Sequence, residues 1–415
     1  MGRILTTGRS EALKTFWGNE IERGGGVVSA RVAVFTVFAL NGAALGSWAP
    51  RVPALAVQVE AEPGPLSLAI LGASVGLLVA ALLSGRLVER YGPRTVLLVS
   101  VLAACAILPA IGAAPSLLWL GIALFLLGFT VGVVDVAMNI GAVVVERGVG
   151  KAIMPLFHAG FSVGGLVGSA AAGFAASHGW SPARHLTVAA VVAVVVLLVV
   201  VRGLPGAAPR TEAAQHTGRA PARRPVLWLL AGIALCSAIA EGASTDWSAL
   251  LLVTEHGLTD AAAALAFSVF SLTMAATRLA GSWIQRRFGA RRMLVVSAVT
   301  AGAGLLLAAL VTAPVAGFIG FGLAGIGLAA SFPVALGLAG EAGRRADGGG
   351  GEREIAFVTA IAYTGFLAGP PLIGGIAQVT SMSTSFVVVA LIASCIAPSA
   401  VAAMRAGDRE RTPVG

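Results

Sequence analysis

Apolar residues arrive in long blocks along this chain, and polar residues are confined to the short gaps between them. The blocks cover 31–51, 66–86, 95–112, 117–145, 153–176, 184–203, 226–252, 261–284, 293–312, 315–340, 354–378 and 383–404. Crossing a ~30 Å hydrocarbon layer takes ~20 apolar residues in a helix. Each block is near that length, so the pattern predicts an all-α membrane protein with twelve transmembrane helices. Composition narrows the class: 57% of the 415 residues are hydrophobic and 11% charged, against ~25% charged in a soluble chain. Soluble enzymes, nucleic-acid-binding domains and disordered chains are all disfavoured.

The net charge of +9 invites a nucleic-acid reading, but a nucleic-acid binder gathers its basic residues on one folded face. Here they fall in the gaps. With the N-terminus placed inside, 25 of the 28 Lys and Arg residues lie on the inner side. Outer loops keep only Arg51 and Arg184, and Arg278 lies within a run. That bias predicts both termini in the cytoplasm. Trp119 and Trp180 near outer ends, and Trp228 and Trp283 near inner ones, suit interfacial anchors. Cys105, Cys236 and Cys395 lie inside apolar runs without metal-ligand spacing and read as small buried hydrophobes. Residues 1–29 are polar and no cleavable signal peptide is expected. Within them, Leu13, Phe16, Trp17 and Ile21 share one face, as in a helix lying on the membrane surface; a frayed tail is the alternative.

The longest polar connection, 205–225, divides the runs six and six, and the halves echo each other. Gly85-Arg86-Leu87-Val88-Glu89-Arg90-Tyr91-Gly92-Pro93-Arg94 follows the second run; Arg286-Arg287-Phe288-Gly289-Ala290-Arg291 follows the eighth. Asn41-Gly42-Ala43 and Trp48 in the first run answer Glu241-Gly242-Ala243 and Trp247 in the seventh. The expected organisation is a cytoplasmic segment (1–30), a six-helix bundle (31–204), a cytoplasmic loop (205–225), a second bundle (226–404) and a cytoplasmic tail (405–415). A duplicated six-helix unit with a site between the copies suits alternating access.

The loop after the second run is similar to the signature loop of the major facilitator superfamily, and the twelve-span, six-plus-six layout fits that family across the chain. Asp135-Val-Ala-Met-Asn139 in span four resembles the fucose-permease branch. Leu45–Arg51, Phe157-His158 and Asp246-Trp247-Ser248 resemble a sub-branch of bacterial inner-membrane transporters. The resemblance implies the major facilitator fold, secondary transport of a small organic solute, frequent coupling to protons, a bacterial-type inner membrane and a monomer. The fucose permease pairs its span-four acid with a span-one carboxylate, and Gly42–Pro50 here contains none.

Ionisable groups inside a span cost at least ~2.5–3.5 kcal/mol on insertion scales, so they usually face a cavity or a partner. Asp135 with Asn139 on its face, and Glu241 opposite Asn41 by the repeat, are the expected substrate- or proton-binding groups. A structural acid is the alternative for Asp135. Asp246 with Trp247 follows the weak-helix stretch Gly242–Thr245, where the backbone is expected to open toward a binding site; an outer gate or helix-end group is the alternative for Asp246. Trp48, His158 and Tyr363 complete the candidates, with packing as the competing reading for the last two. Arg278 either snorkels to the headgroups or pairs with Glu241 or Asp135. Arg51 reads as an outer gate or interfacial anchor. Gly85, Glu89, Arg90, Gly92 and Arg94 face Arg286, Arg287 and Arg291 as an expected inner-gate charge network.

Gly320-Phe-Gly322-Leu-Ala-Gly325 matches a dinucleotide fingerprint, but it lies inside an apolar run rather than after a strand and reads as a helix-packing face. No Walker motif, nucleophile elbow or HExxH is present, so the chain reads as a non-enzyme without metal or cofactor. Two rivals stand beside a solute permease: an exporter of drugs or natural products with the same fold, and a non-transporting receptor or scaffold.

Overall fold

A computed structural model describes residues 29–149, 153–205, 221–343 and 351–411. The surface helix expected at residues 11–21, Lys151 and most of the central loop lie outside them. Twelve described helices are long and apolar enough to cross a membrane. In chain order they are α1 (Ala30–Gln58), α2 (Pro63–Tyr91), α3 (Pro93–Gly112), α4 (Leu117–Glu146), α5 (Leu156–Ser177) and α6 (Pro182–Gly203). The second set is α7 (Pro225–Asp246), α8 (Asp260–Gly281), α9 (Ala290–Leu310), α10 (Pro314–Gly343), α11 (Arg353–Val379) and α12 (Met382–Gly407).

Prolines explain where the helices bend. A proline has no N–H to offer the carbonyl four residues back. Accordingly α1 tightens to a 3-10 turn at Ala49–Arg51, beside Pro50 and Pro53. Helix α10 is interrupted after Leu328 and resumes at Ser331, where Pro333 leaves the Ala329 carbonyl without its helical donor. Helix α12 breaks at Cys395, with Pro398 three residues on. Cys395 is exposed at that break and Cys236 of α7 is half-buried, whereas all three cysteines were expected inside. Beyond it the helix continues to Arg411, through most of the expected tail.

Packing obeys the repeat. In the first half α2 packs on α4, α1 on α5, α3 on α4 and α6; in the second, α8 packs on α10, α7 on α11, α9 on α10 and α12. The two bundles meet through α5 against α8 and α2 against α11, which the repeat also exchanges. Loops match in backbone detail: Gly92 and Gly289 have φ of 78° each, and the two glycines separate α2 from α3 and α8 from α9. That left-handed geometry favours a residue without a Cβ. The glycine fingerprint proves to be a packing device: Gly320 lies backbone-to-backbone with Gly304 of α9, and Gly325 against Phe270 and Thr273 of α8.

The bundles close together at the end of the molecule remote from the chain termini. There the Ser169 and Ser268 hydroxyls bond at 2.6 Å between α5 and α8, and Gln378 of α11 bonds Gly64 N–H (2.9 Å) and Glu62. Gly374 of α11 packs on Ser67 of α2 at a distance that admits no side chain. On the termini side, Gly85, Glu89, Arg90, Arg286, Arg287 and Phe288 are exposed.

Candidate functional site

Glu241 on α7 and Arg278 on α8 form the central polar feature. Arg278 Nη2 lies 3.1 and 3.3 Å from the two Glu241 carboxylate oxygens. Its Nε donates to the Ala329 carbonyl at 3.4 Å. Pro333 frees that carbonyl, so the proline is the local reason that a guanidinium is accommodated in mid-span. Both side chains retain about a quarter of their exposure (29% and 26%) although they sit between helices, as expected of groups lining an open cavity. Arg278 thus pairs rather than snorkels.

Asp135 and Asn139 occupy the facing bundle on α4. Asn139 Nδ2 donates to the Asp135 carbonyl oxygen at 2.8 Å and approaches its carboxylate at 3.4 Å. Among the described residues Asp135 has no ion-pair partner. Tyr363 of α11 is close enough to interact with its charge, and His158 of α5 is close enough to interact with Arg278. Asp135 and Arg278 thus each have a neighbour in the opposite bundle, on the side where the halves face each other. His158 is exposed there and packs edge-on against Phe38, 5.3 Å between ring centres. The chemistry on offer is a lone carboxylate, an imidazole, a phenol and a neutralised acid–base pair. That set can bind a polar solute and hold or release a proton.

Other expected members are placed elsewhere. Asn41 is buried in a cavity of ~450 Å³ within the first bundle, lined also by Ser47, Cys105, Trp180 and His185. Its alignment with Glu241 was one residue out of step with Trp48 and Trp247; in a helix that step rotates a side chain by ~100°. Trp247 is fully buried and Trp48 nearly so, both at the closed end. The backbone does not open at Gly242–Thr245: α7 is helical through Asp246, with Ser244 and Thr245 hydroxyls bonded to carbonyls one turn back. Asp246 ends that helix, half-buried. Arg51 is buried, donates to the Trp180 carbonyl at 2.7 Å, and belongs to the 3-10 turn packed on α8.

Across the two signature loops the expected charge network is not formed. Arg90 lies over Tyr91 and Arg287 over Phe288, 5.3 and 5.9 Å from the ring centres. Glu89 makes no ion pair with a described residue, and Arg94 and Arg291 are exposed. The physical reason is separation: the bundles touch at the opposite end. Sequence reasoning missed Glu146, whose carboxylate caps α5 by accepting from Ile153 and Met154 N–H at 2.7 and 2.6 Å. It also missed Arg224, which ties α7 to Glu410 (2.8 Å) and to the Ala342 carbonyl (2.9 Å). Among the described residues no three His, Cys, Asp or Glu side chains gather as a metal site.

The family model for the Major Facilitator Superfamily matches residues 34–259 and 235–414. The chain belongs to that superfamily. It is 32% identical over 380 residues to an uncharacterized MFS-type transporter of Yersinia pestis, covering 91% of this chain and 97% of that one. An uncharacterized transporter of Sinorhizobium fredii is 33% identical over 372 residues (87% and 94%), and the membrane protein MosC of Rhizobium meliloti 27% over 371 (89% and 89%). Among solved structures, the nucleoside transporter NupG superposes with a TM-score of 0.70 at 12% identity, covering 91% of this chain and all of that one. An inward-facing bacterial homologue of the human lysosomal transporter Spinster gives 0.72 at 15%, covering 93% and 98%. These likenesses establish the major facilitator fold. Members of the superfamily move solutes across membranes, so this chain is a multi-pass membrane transporter and not an enzyme.

Proposed function

We propose that the chain is a secondary active transporter that carries a small polar organic solute by alternating access of its two bundles, coupled to protons. The observation that carries this reading is an unpaired mid-span carboxylate, Asp135, in one bundle and the Glu241–Arg278 pair in the other, each with a neighbour in the opposite half. A carboxylate held in mid-membrane without a cation is a poor structural element and a good proton or substrate ligand. The Asp135–Asn139 spacing supports a place near the fucose-permease branch. Glu241, on the seventh helix, takes the part of the missing span-one acid. Six polar or ionisable groups on the facing sides of the two bundles favour a hydroxyl-rich solute over a lipid, and a solute of nucleoside or monosaccharide size is the expected cargo. Glu89, Arg90 and Arg94 then close on Arg286 and Arg287 when the termini-side face shuts, while Arg51 holds the opposite end. We place the protein as a monomer in a bacterial-type inner membrane, both termini cytoplasmic.

The test is ligand-induced thermal stabilisation of detergent-purified protein against sugars, amino acids, nucleosides, organic acids and amphipathic cations. A ligand at 100 times its Kd stabilises by ~2.7 kcal/mol. Proteoliposome uptake of the hit, with and without a proton gradient, follows. Stabilisation by a polar metabolite that vanishes in Asp135→Asn, with gradient-driven uptake, supports the proposal. Stabilisation by amphipathic cations alone points to an exporter, and gradient-independent uptake removes the proton coupling.

A further inference from the structure

A second feature of the molecule lies on the flank of the second bundle, away from the central space. Helices α8, α9, α10 and α12 enclose a groove of ~710 Å³ whose walls are almost wholly apolar, including Ile284, Phe288, Val296, Ile326 and Val401. Val296 and Phe288 are 63% and 48% exposed, so this wall faces the bilayer. At its mouth stand Arg291 and Arg292, both exposed and neither paired with a described residue.

Their position on the helix is unfavourable as it stands. They occupy the first turn of α9, where the helix dipole presents its positive end. The first N–H to close the helical ladder is that of Met293, bonded to the Gly289 carbonyl at 3.1 Å. The preceding N–H groups have no such partner and point past the helix end, where the two arginines also stand. A negative group there converts repulsion into attraction on all counts. The first copy of the repeat lacks these features: Pro93 begins α3 without an N–H, and Arg94 is followed by Thr95.

We infer that this groove is a binding site for an anionic phospholipid, its phosphate on Arg291, Arg292 and the α9 N-terminus and an acyl chain along the apolar wall. Charge and shape both select that occupant. A neutral lipid leaves the two guanidiniums uncompensated, and a soluble phosphate leaves the long apolar groove unfilled. The groove wall includes Thr277 and Ala330, each one residue along its helix from Arg278 and Ala329. A bound lipid therefore borders the segments that hold the central pair.

The full-length protein in detergent, delipidated and then titrated, provides the test by native mass spectrometry and thermal shift. The probes are palmitoyl-oleoyl phosphatidylglycerol, the phosphatidylcholine with the same chains, and sodium phosphate. Phosphatidylglycerol is expected to bind and stabilise, and the Arg291→Gln/Arg292→Gln protein to bind it about thirty-fold more weakly, the effect of two basic groups near a membrane surface. Arg90→Gln/Arg94→Gln, the corresponding change in the first copy, is expected to leave that affinity within about threefold. Val296→Trp fills the groove without touching charge and is expected to weaken lipid binding too. Equal binding by the Arg291/Arg292 double variant, equal binding of phosphatidylcholine, or full stabilisation by sodium phosphate alone would each overturn the inference.

Discussion

The contacts α1 with α5 and α7 with α11 are the same contact in the two copies of the repeat, yet they are built on different physics. In the first copy glycine meets backbone. Gly42 and Gly46 of α1 lie on the carbonyls of Phe161 and Gly165, while Gly164 and Gly168 of α5 lie on those of Ala39 and Ala43. No side chain fits between, and the helices approach as closely as their main chains allow. In the second copy a Cβ on Gly242 would meet Phe366 at 3.5 Å, ordinary contact, and Gly365 faces the side chains of Leu235 and Ile239. The looser pair has the room to seat Glu241 and to let Arg278 reach it. Duplication conserved the topology and released one copy to carry charge.

Substitutions can break or sharpen that contrast. Gly42→Leu should have the largest effect: with backbone on both sides it has nowhere to move, and a loss above ~3 kcal/mol is expected, seen as aggregation on size exclusion. A monodisperse, stable Gly42→Leu protein would erase the distinction. Next comes Glu241→Gln, which strands Arg278; the pair is a quarter exposed, so the cost is ~1–2 kcal/mol rather than that of a fully buried pair. Adding Arg278→Gln should restore much of that stability while transport stays lost, a sign pattern that thermal melts and uptake assays separate. Ser169→Ala removes one hydrogen bond at the closed end, ~0.6 kcal/mol. That should raise the population open at that end about threefold, read by cysteine accessibility near Glu62. Gly242→Ala should be the mildest, within ~0.5 kcal/mol; a drop as large as that of Gly42→Leu would mean the second copy is equally tight.

Much of this was legible before any coordinates. Lipid forces the chain to declare its spans by composition, so the twelve runs match the helices closely: 117–145 against Leu117–Glu146, 95–112 against Pro93–Gly112. The breaks were written too, in Pro333 and Pro398, but their consequence is three-dimensional. That the Ala329 carbonyl would be met by Arg278 depends on how α8 crosses α10, which no periodicity encodes. Asp135, His158, Glu241 and Tyr363 could be named because charge and rings are rare inside spans; which face each presents could not. Asn41 went astray on a single step of register, and Trp48 and Trp247 because a buried indole looks the same in sequence whether it lines a cavity or fills a core. Arg292 was visible only as loop charge and Arg291 only as part of an expected gate, since the groove beside them is made by four helices.

The seam between Ser169 and Ser268 has a further property. Each hydroxyl also has an acceptor in its own helix: Ser169 the Leu166 carbonyl at 3.0 Å, Ser268 the Ala264 carbonyl at 3.4 Å. When the halves draw apart, neither oxygen is left without a companion in hydrocarbon, where an orphan polar group costs several kcal/mol. The junction behaves less like a weld than like a press-stud: it holds when the faces meet and releases without damage to either. Leucines in the same place would cling through dispersion with no such fallback, and charges would resist parting. A pair of serines sets the grip near thermal energy, as suits a joint made to be opened many times.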